Sequence, residues 1–362
     1  MIICEKCFCD TEIISVIKNK SVIGDCPLCK SKNVYLYDTD EFDDLSMMFD
    51  DLLSIYTPVS LLPTSYPRAD TRLLKSELIY NWNIFNKKSE ADVYNIITAI
   101  CKEKYDYNAE LFDQPVGIQE LYDSNYLSKH SLLTTNSWED FVEALKTKNR
   151  FHTHYVDLDL LERFCSYIRK PYKTGEVFYR CRISTEAGIS ATEMGAPPID
   201  KTTDGRANAR GIRCLYLGDT AETTIYETRA GAYDYVTVGK FQLKKDIIVV
   251  DLKKINQISP FIEGLDCLEY AINKEHLNKI NDEMGKIMRR SDSPLDYVPT
   301  QYITDFVKSI IHDGKPEYAG IEYKSVMHSG GYNLALFEPD LFKCIETKVY
   351  AIDTIDYKKH IV

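Results

Sequence analysis

Apolar residues recur at three- and four-residue steps through the first half of the chain and at two-residue steps through much of the second. Over 38–56, Phe42, Leu45, Phe49, Leu52 and Tyr56 fall on one helical face. Ser89 stands three residues before Asp92, and Ser137 three before Asp140, the pattern of a capped helix start. A further helical stretch covers 157–168, so the block from 37 to 170 reads as helical. Near Pro171 the period changes. Residues 177–180 alternate like a strand, and further strands are predicted over 212–217, 235–243, 246–252, 318–323 and 332–337. Helices are predicted to start at 219–220 and to cover 267–288 and 300–312. Irregularly mixed helices and strands with several β-β neighbours predict an α+β class rather than a doubly wound sheet. There is no internal repeat, low-complexity tract or G-x-G-x-x-G fingerprint.

Cysteines add a third segment ahead of the helices. Cys4 and Cys7, eighteen further residues, then Cys26 and Cys29 form two C-x-x-C knuckles, the spacing of a zinc ribbon over 1–36. Cys9 offers an alternative first-knuckle ligand, and reduced cysteines without metal are the competing reading. Four thiolates leave no open coordination position, so the expected Zn2+ is structural. The domains expected are therefore a ribbon over 1–36, a helical domain over 37–170 and an α+β domain over 171–362.

Charge and composition narrow the function. A net charge of −11 argues against a dedicated nucleic-acid binder. No apolar run is long enough to span a membrane, and the start of the chain lacks the pattern of a signal peptide. The other six cysteines are scattered among apolar residues, as in a reducing compartment. A soluble, cytoplasmic protein without a membrane partner is expected. His152 and His154 read as surface or helix-end histidines.

Six of the thirteen arginines lie between Arg180 and Arg229, a local enrichment suited to an anionic ligand. Their setting is the loop Gly205-Arg206-Ala-Asn208-Ala-Arg-Gly211, then a strand with Leu215-Tyr216-Leu217, then Glu227 in the helix beyond. Tyr179-Arg180 precede them on a strand. Tyr323-Lys-Ser325, Ser329-Gly-Gly331 and Asn333-Leu-Ala-Leu-Phe337 follow far downstream.

In this order the pieces resemble the RES domains, named for an arginine, a glutamate and a serine, over roughly residues 170–345. Gly195-Ala-Pro-Pro198 is similar to the loop before the G-R-x-N motif in many members. The resemblance implies a fold similar to ADP-ribosyltransferases and a toxin that consumes NAD+ by cleaving the nicotinamide–ribose bond, by hydrolysis or with inorganic phosphate. It implies Arg180, Glu227 and Ser325 as catalytic residues, with Ser329 an alternative to Ser325 and the neighbouring His328 unassigned. Tyr179, Arg206, Asn208, Tyr216 and Asn333 are implied as substrate-binding, Arg206 on the pyrophosphate and Tyr216 against nicotinamide or ribose.

The cysteine knuckles and helical block resemble the HEPN-type domain found before some RES domains, without the arginine–histidine RNase motif. That half is expected to regulate or assemble the enzyme, in response to an antitoxin or trigger protein, in a homo-oligomer. Two other functions share these features: ADP-ribose transfer to a macromolecule, and non-catalytic, zinc-dependent interaction or nucleic-acid binding.

Overall fold

The computed structural model describes residues 1–134, 137–288 and 292–355. The chain divides into two compact units. The first comprises Met1–Ser131 with Gln257–Lys274, and the second Leu132–Asn256 with Glu275–Val362.

In the first unit the cysteine knuckles bracket a helix that hydrophobic spacing had not singled out, Thr11–Asn19. Asp10 caps it, its carboxylate accepting the amides of Glu12 and Ile13 at 2.9 and 3.1 Å. Strands Ile2–Cys4 and Ile23–Gly24 pair antiparallel on either side of Val34–Asp38. Because Asp38 ends that strand, the following helix runs Asp44–Ser54 and does not begin at 38. The ribbon is bonded into the helical segment. Cys9 N donates to Ile84 O at 2.7 Å, Asn86 N to Cys7 O at 2.9 Å, and the Phe8 and Phe85 rings lie 5.3 Å apart.

Helix Glu90–Ile100 carries the Ser89–Asp92 capping box that the sequence predicts. The stretch is not purely helical. Thr57–Pro58 and Arg72–Leu73 flank Pro115–Gly117 in a small antiparallel sheet. Strands of two or three residues are too short to show an alternating pattern.

The second unit contains helices Trp138–Thr147 and Leu158–Ser166, so the compact division falls at 131 and not at 170. Its centre is an eight-stranded sheet in the order Phe342–Ala351, Tyr235–Leu243, Val177–Ser184, Leu215–Gly218, Tyr332–Leu336, Gly320–Lys324, Ile247–Asp251, Arg169–Tyr172. Ile247–Asp251 and Gly320–Lys324 run parallel, and every other neighbour is antiparallel. One face buries Phe178, Leu215, Leu217, Phe241, Leu334, Leu336 and Phe342. Side-chain alternation turns Tyr216, Asn333 and Tyr323 to the opposite face.

The ten-residue strand Phe342–Ala351 carries no clean alternation. A bulge at Ile345 shifts its register against Lys240 and Phe241, reversing which residues face the core midway. Among the described residues no helix is long and apolar enough to cross a membrane.

Candidate active site

Glu227 reaches its position through a strand–helix turn. Strand Leu215–Gly218 leads into helix Ala221–Thr228, whose N-cap Thr220 accepts the Thr223 amide at 3.0 Å. The helix stops where Arg229 adopts a left-handed φ of 53°, which places Glu227 in its last turn. Opposite, strands Gly320–Lys324 and Tyr332–Leu336 pair with Tyr323 across from Asn333, and the turn between them carries Ser325.

Ser325 Oγ donates to Glu227 Oε1 at 2.6 Å, and Asn333 Nδ2 donates to the same oxygen at 3.0 Å. Both bonds fall on Oε1, which leaves Oε2 without a donor among the described residues. Ser325 Oγ in turn accepts the amides of His328 at 3.0 Å and Met327 at 3.3 Å. These amides commit the hydroxyl proton to the carboxylate. Ser329 is exposed and takes no part in this arrangement.

The serine turn is fastened to the helix. His328 Nδ1 is hydrogen-bonded to Thr223 Oγ1 at 2.8 Å, and its ring stacks on Tyr226 with centroids 5.2 Å apart and planes 6° from parallel. A Cβ on Gly331 would collide with Thr223 Oγ1 and His328 Nδ1, so this close approach requires glycine. The buried Tyr323 hydroxyl is pushed up by burial and lies in the fields of both Arg206 and Glu227.

Arg180 occupies a fork in the sheet. Strands Val177–Ser184 and Leu215–Gly218 pair only at Tyr179 and Gly218 and then part. The Arg180 guanidinium donates Nη1 to Tyr216 O at 3.1 Å across the gap, while its buried Nε has no partner among the described residues. Burial and the neighbouring Arg182 lower it to about 10. A desolvated cation with an idle donor favours an anion. It makes no bond to Glu227. Tyr179, the next residue along the strand, points to the other face and lines a separate cavity of about 430 Å³ with Thr220, Lys240 and Tyr350.

The Gly205–Gly211 loop spends its polar groups on itself. Tyr216 Oη donates to Asn208 Oδ1 at 2.6 Å and accepts the Ala207 amide at 3.0 Å. Asn208 Nδ2 donates to Thr203 O and Ala209 O at 2.9 and 3.0 Å, and Asn208 is 3% exposed. A Cβ on Gly205 would stand 2.6 Å from Tyr216 Oη. Gln301, which no sequence pattern marks, donates to the carbonyls of Gly205 and Asn208 at 3.0 and 2.9 Å. Arg206 donates through both Nη atoms to Glu283 O and Lys286 O, its guanidinium 5.9 Å from the Tyr323 ring centroid.

In the first unit, the Sγ atoms of Cys4, Cys7, Cys26 and Cys29 all lie within 4.8 Å of one another, close enough to bind one metal ion. Cys4 is 3.4 Å from Cys29 and 3.8 Å from Cys7, and Cys7 is 4.0 Å from Cys26. Tetrahedral thiolates at zinc distance stand about 3.8 Å apart, so the set fits. Burial pushes the Cys7 thiol up to about 11, which opposes thiolates unless a cation compensates. Cys9 is exposed and outside the group.

Of the residues implied by the resemblance, the structure thus brings Glu227, Ser325 and Asn333 into one hydrogen-bonded group. It joins Tyr216 to Asn208, and Arg180 meets that pair only through the Tyr216 backbone carbonyl, with no bond to the Glu227 group. Thr223, Tyr323 and Gln301 are participants that the sequence motifs did not assign, since each acts through a contact nearly a hundred residues or more away along the chain, or through burial.

Comparison of the chain with curated proteins and with solved structures finds no match. The model of the RES domain does match, over residues 177–358, a span that holds the forked arginine, the glutamate helix and the serine turn. The chain belongs to the RES domain family.

Proposed function

We propose that the protein consumes NAD+ by breaking the nicotinamide–ribose bond, through hydrolysis or phosphorolysis, on a fold akin to ADP-ribosyltransferases. Family membership supplies the substrate class, and the half-satisfied Glu227 carboxylate carries the chemical argument. Cleavage of this bond builds positive charge on the ribose. A carboxylate oriented by two donors on one oxygen presents the other to that charge, or to the attacking water or phosphate.

Ser325 and Asn333 hold Glu227 in that attitude, and Ser325 is a positioning hydroxyl. A serine nucleophile needs a free lone pair, and those of Ser325 Oγ already accept the amides of Met327 and His328. The idle Arg180 Nε is the donor best suited to an oxygen of the pyrophosphate. Arg206 adds a positive field over the Tyr323 ring, its Nη atoms being committed to backbone carbonyls.

In the first unit the four cysteines would hold a structural zinc, supplying cohesion and no catalytic position. Metal analysis of the full protein is expected to return one zinc per chain, lost in a Cys26→Ser variant. An unchanged zinc content in that variant would reject this site.

The activity is tested by proton NMR of purified protein with NAD+, with and without inorganic phosphate. Free ADP-ribose in both buffers means hydrolysis, and a phosphorylated ADP-ribose formed only with phosphate means phosphorolysis. Absence of nicotinamide release in both would contradict the proposal.

A further inference from the structure

The two edges of the large sheet differ in a way that bears on assembly. One edge, Arg169–Tyr172, is four residues long and contains Pro171, a residue without an amide donor. That is a protected edge. The other, Phe342–Ala351, runs ten residues without proline and pairs on one side only, with Tyr235–Leu243. Among the described residues no strand covers its outer side. Ile345, Val349 and Tyr350 are 45%, 41% and 42% exposed along it. An open, partly apolar edge of this length is a template for another strand.

The sequence of the edge selects the partner. When two copies of the strand are laid antiparallel with Thr347 on the two-fold axis, Glu346 falls opposite Lys348 and Ile345 opposite Val349. Symmetry repeats each pair, so every charge near the axis meets its opposite and the apolar residues meet one another. Glu346 and Lys348 already share one face of the sheet and pair within the chain at 3.2 Å. In the double strand they become four alternating charges. Because Glu346 and Lys348 are two positions apart, backbone groups facing outward on one strand meet outward-facing groups on the other. The bulge at Ile345, repeated by the two-fold axis, bounds this register at both ends and so limits the contact to one alignment of the short segment around Thr347.

We propose that two copies of this chain associate edge to edge through Phe342–Ala351, antiparallel about Thr347, joining their sheets. The proposal is independent of the reaction catalysed.

Sedimentation of the full protein is expected to show a dimer. Lys348→Glu places like charges opposite one another twice and is expected to weaken association about tenfold or more. The double exchange Glu346→Lys with Lys348→Glu restores the alternation, and dimerisation with it. A change in folding alone would not be rescued in this way. Independently, Thr347→Cys brings two thiols to the axis at a separation suited to a disulfide. It is expected to yield a covalent dimer, reversed by reductant and absent from the parent protein. A monomer with no cross-link, or a dimer indifferent to Lys348→Glu and not cross-linked by Thr347→Cys, would overturn the proposal.

Discussion

The Gly205–Gly211 loop and the Glu227 group are both polar, partly buried and built from residues that the family pattern marks, yet they end in opposite states. In the loop every conspicuous polar atom has a protein partner. Asn208 uses its oxygen and its nitrogen, Tyr216 donates and accepts, and Gln301 closes the backbone from outside. In the second group two donors crowd onto one carboxylate oxygen and leave its twin open, while the fork in the sheet holds a buried arginine nitrogen without a partner among the described residues. A satisfied group has nothing left to offer a ligand without first breaking its own bonds. Under the proposed function, the loop would give the site its shape and the carboxylate its chemistry.

The largest effect that would break this assignment is the loss of Glu227. Glu227→Gln keeps the size and both donors' target oxygen while removing the charge, and is expected to lower nicotinamide release by about a thousandfold or more, with melting close to the parent. Ser325→Ala removes one bond to the carboxylate and is expected to cost about 10- to 100-fold in kcat, the scale of a hydrogen bond to a charged group. Equal activity in Ser325→Ala, paired with a loss in Ser329→Ala, would move the positioning role to the other serine.

The smallest catalytic effect is expected on the loop. Tyr216→Phe leaves Asn208 Oδ1 and the Ala207 amide short of a partner and should destabilise the fold by about 1–3 kcal/mol. Its turnover per folded molecule should stay within a few-fold of the parent. Chemical denaturation reads the first quantity and an NMR assay the second.

How much of this was legible in the sequence depends on the range of the interaction. The Ser89–Asp92 and Ser137–Asp140 caps and the Tyr235–Leu243 strand follow from neighbouring residues, and the structure places them where spacing predicts. The four cysteines were legible for the same reason, since each knuckle spans four residues. The Glu227 group joins residues 98 and 106 positions apart, and only the ordered family pattern pointed to it. That pattern could not separate Asn208 and Tyr216, which bind each other, from Asn333, which binds the carboxylate. Motif membership says that a residue type is required at a position, and only its partners say for what. Likewise, hydrophobic period assigned 137–168 to the helical block. Which unit a helix joins depends on contacts such as Lys146 with Asp296, at 2.6 Å, that lie 150 residues away.

Nicotinamide release and thermal melting of Glu227→Gln and Tyr216→Phe, measured side by side, put the distinction to the most direct test. The expected result is a dissociation of the two readouts, with Glu227→Gln inactive at parental stability and Tyr216→Phe active at reduced stability. An active Glu227→Gln, or a stable Tyr216→Phe that no longer releases nicotinamide, would place the chemistry in the loop and contradict the account.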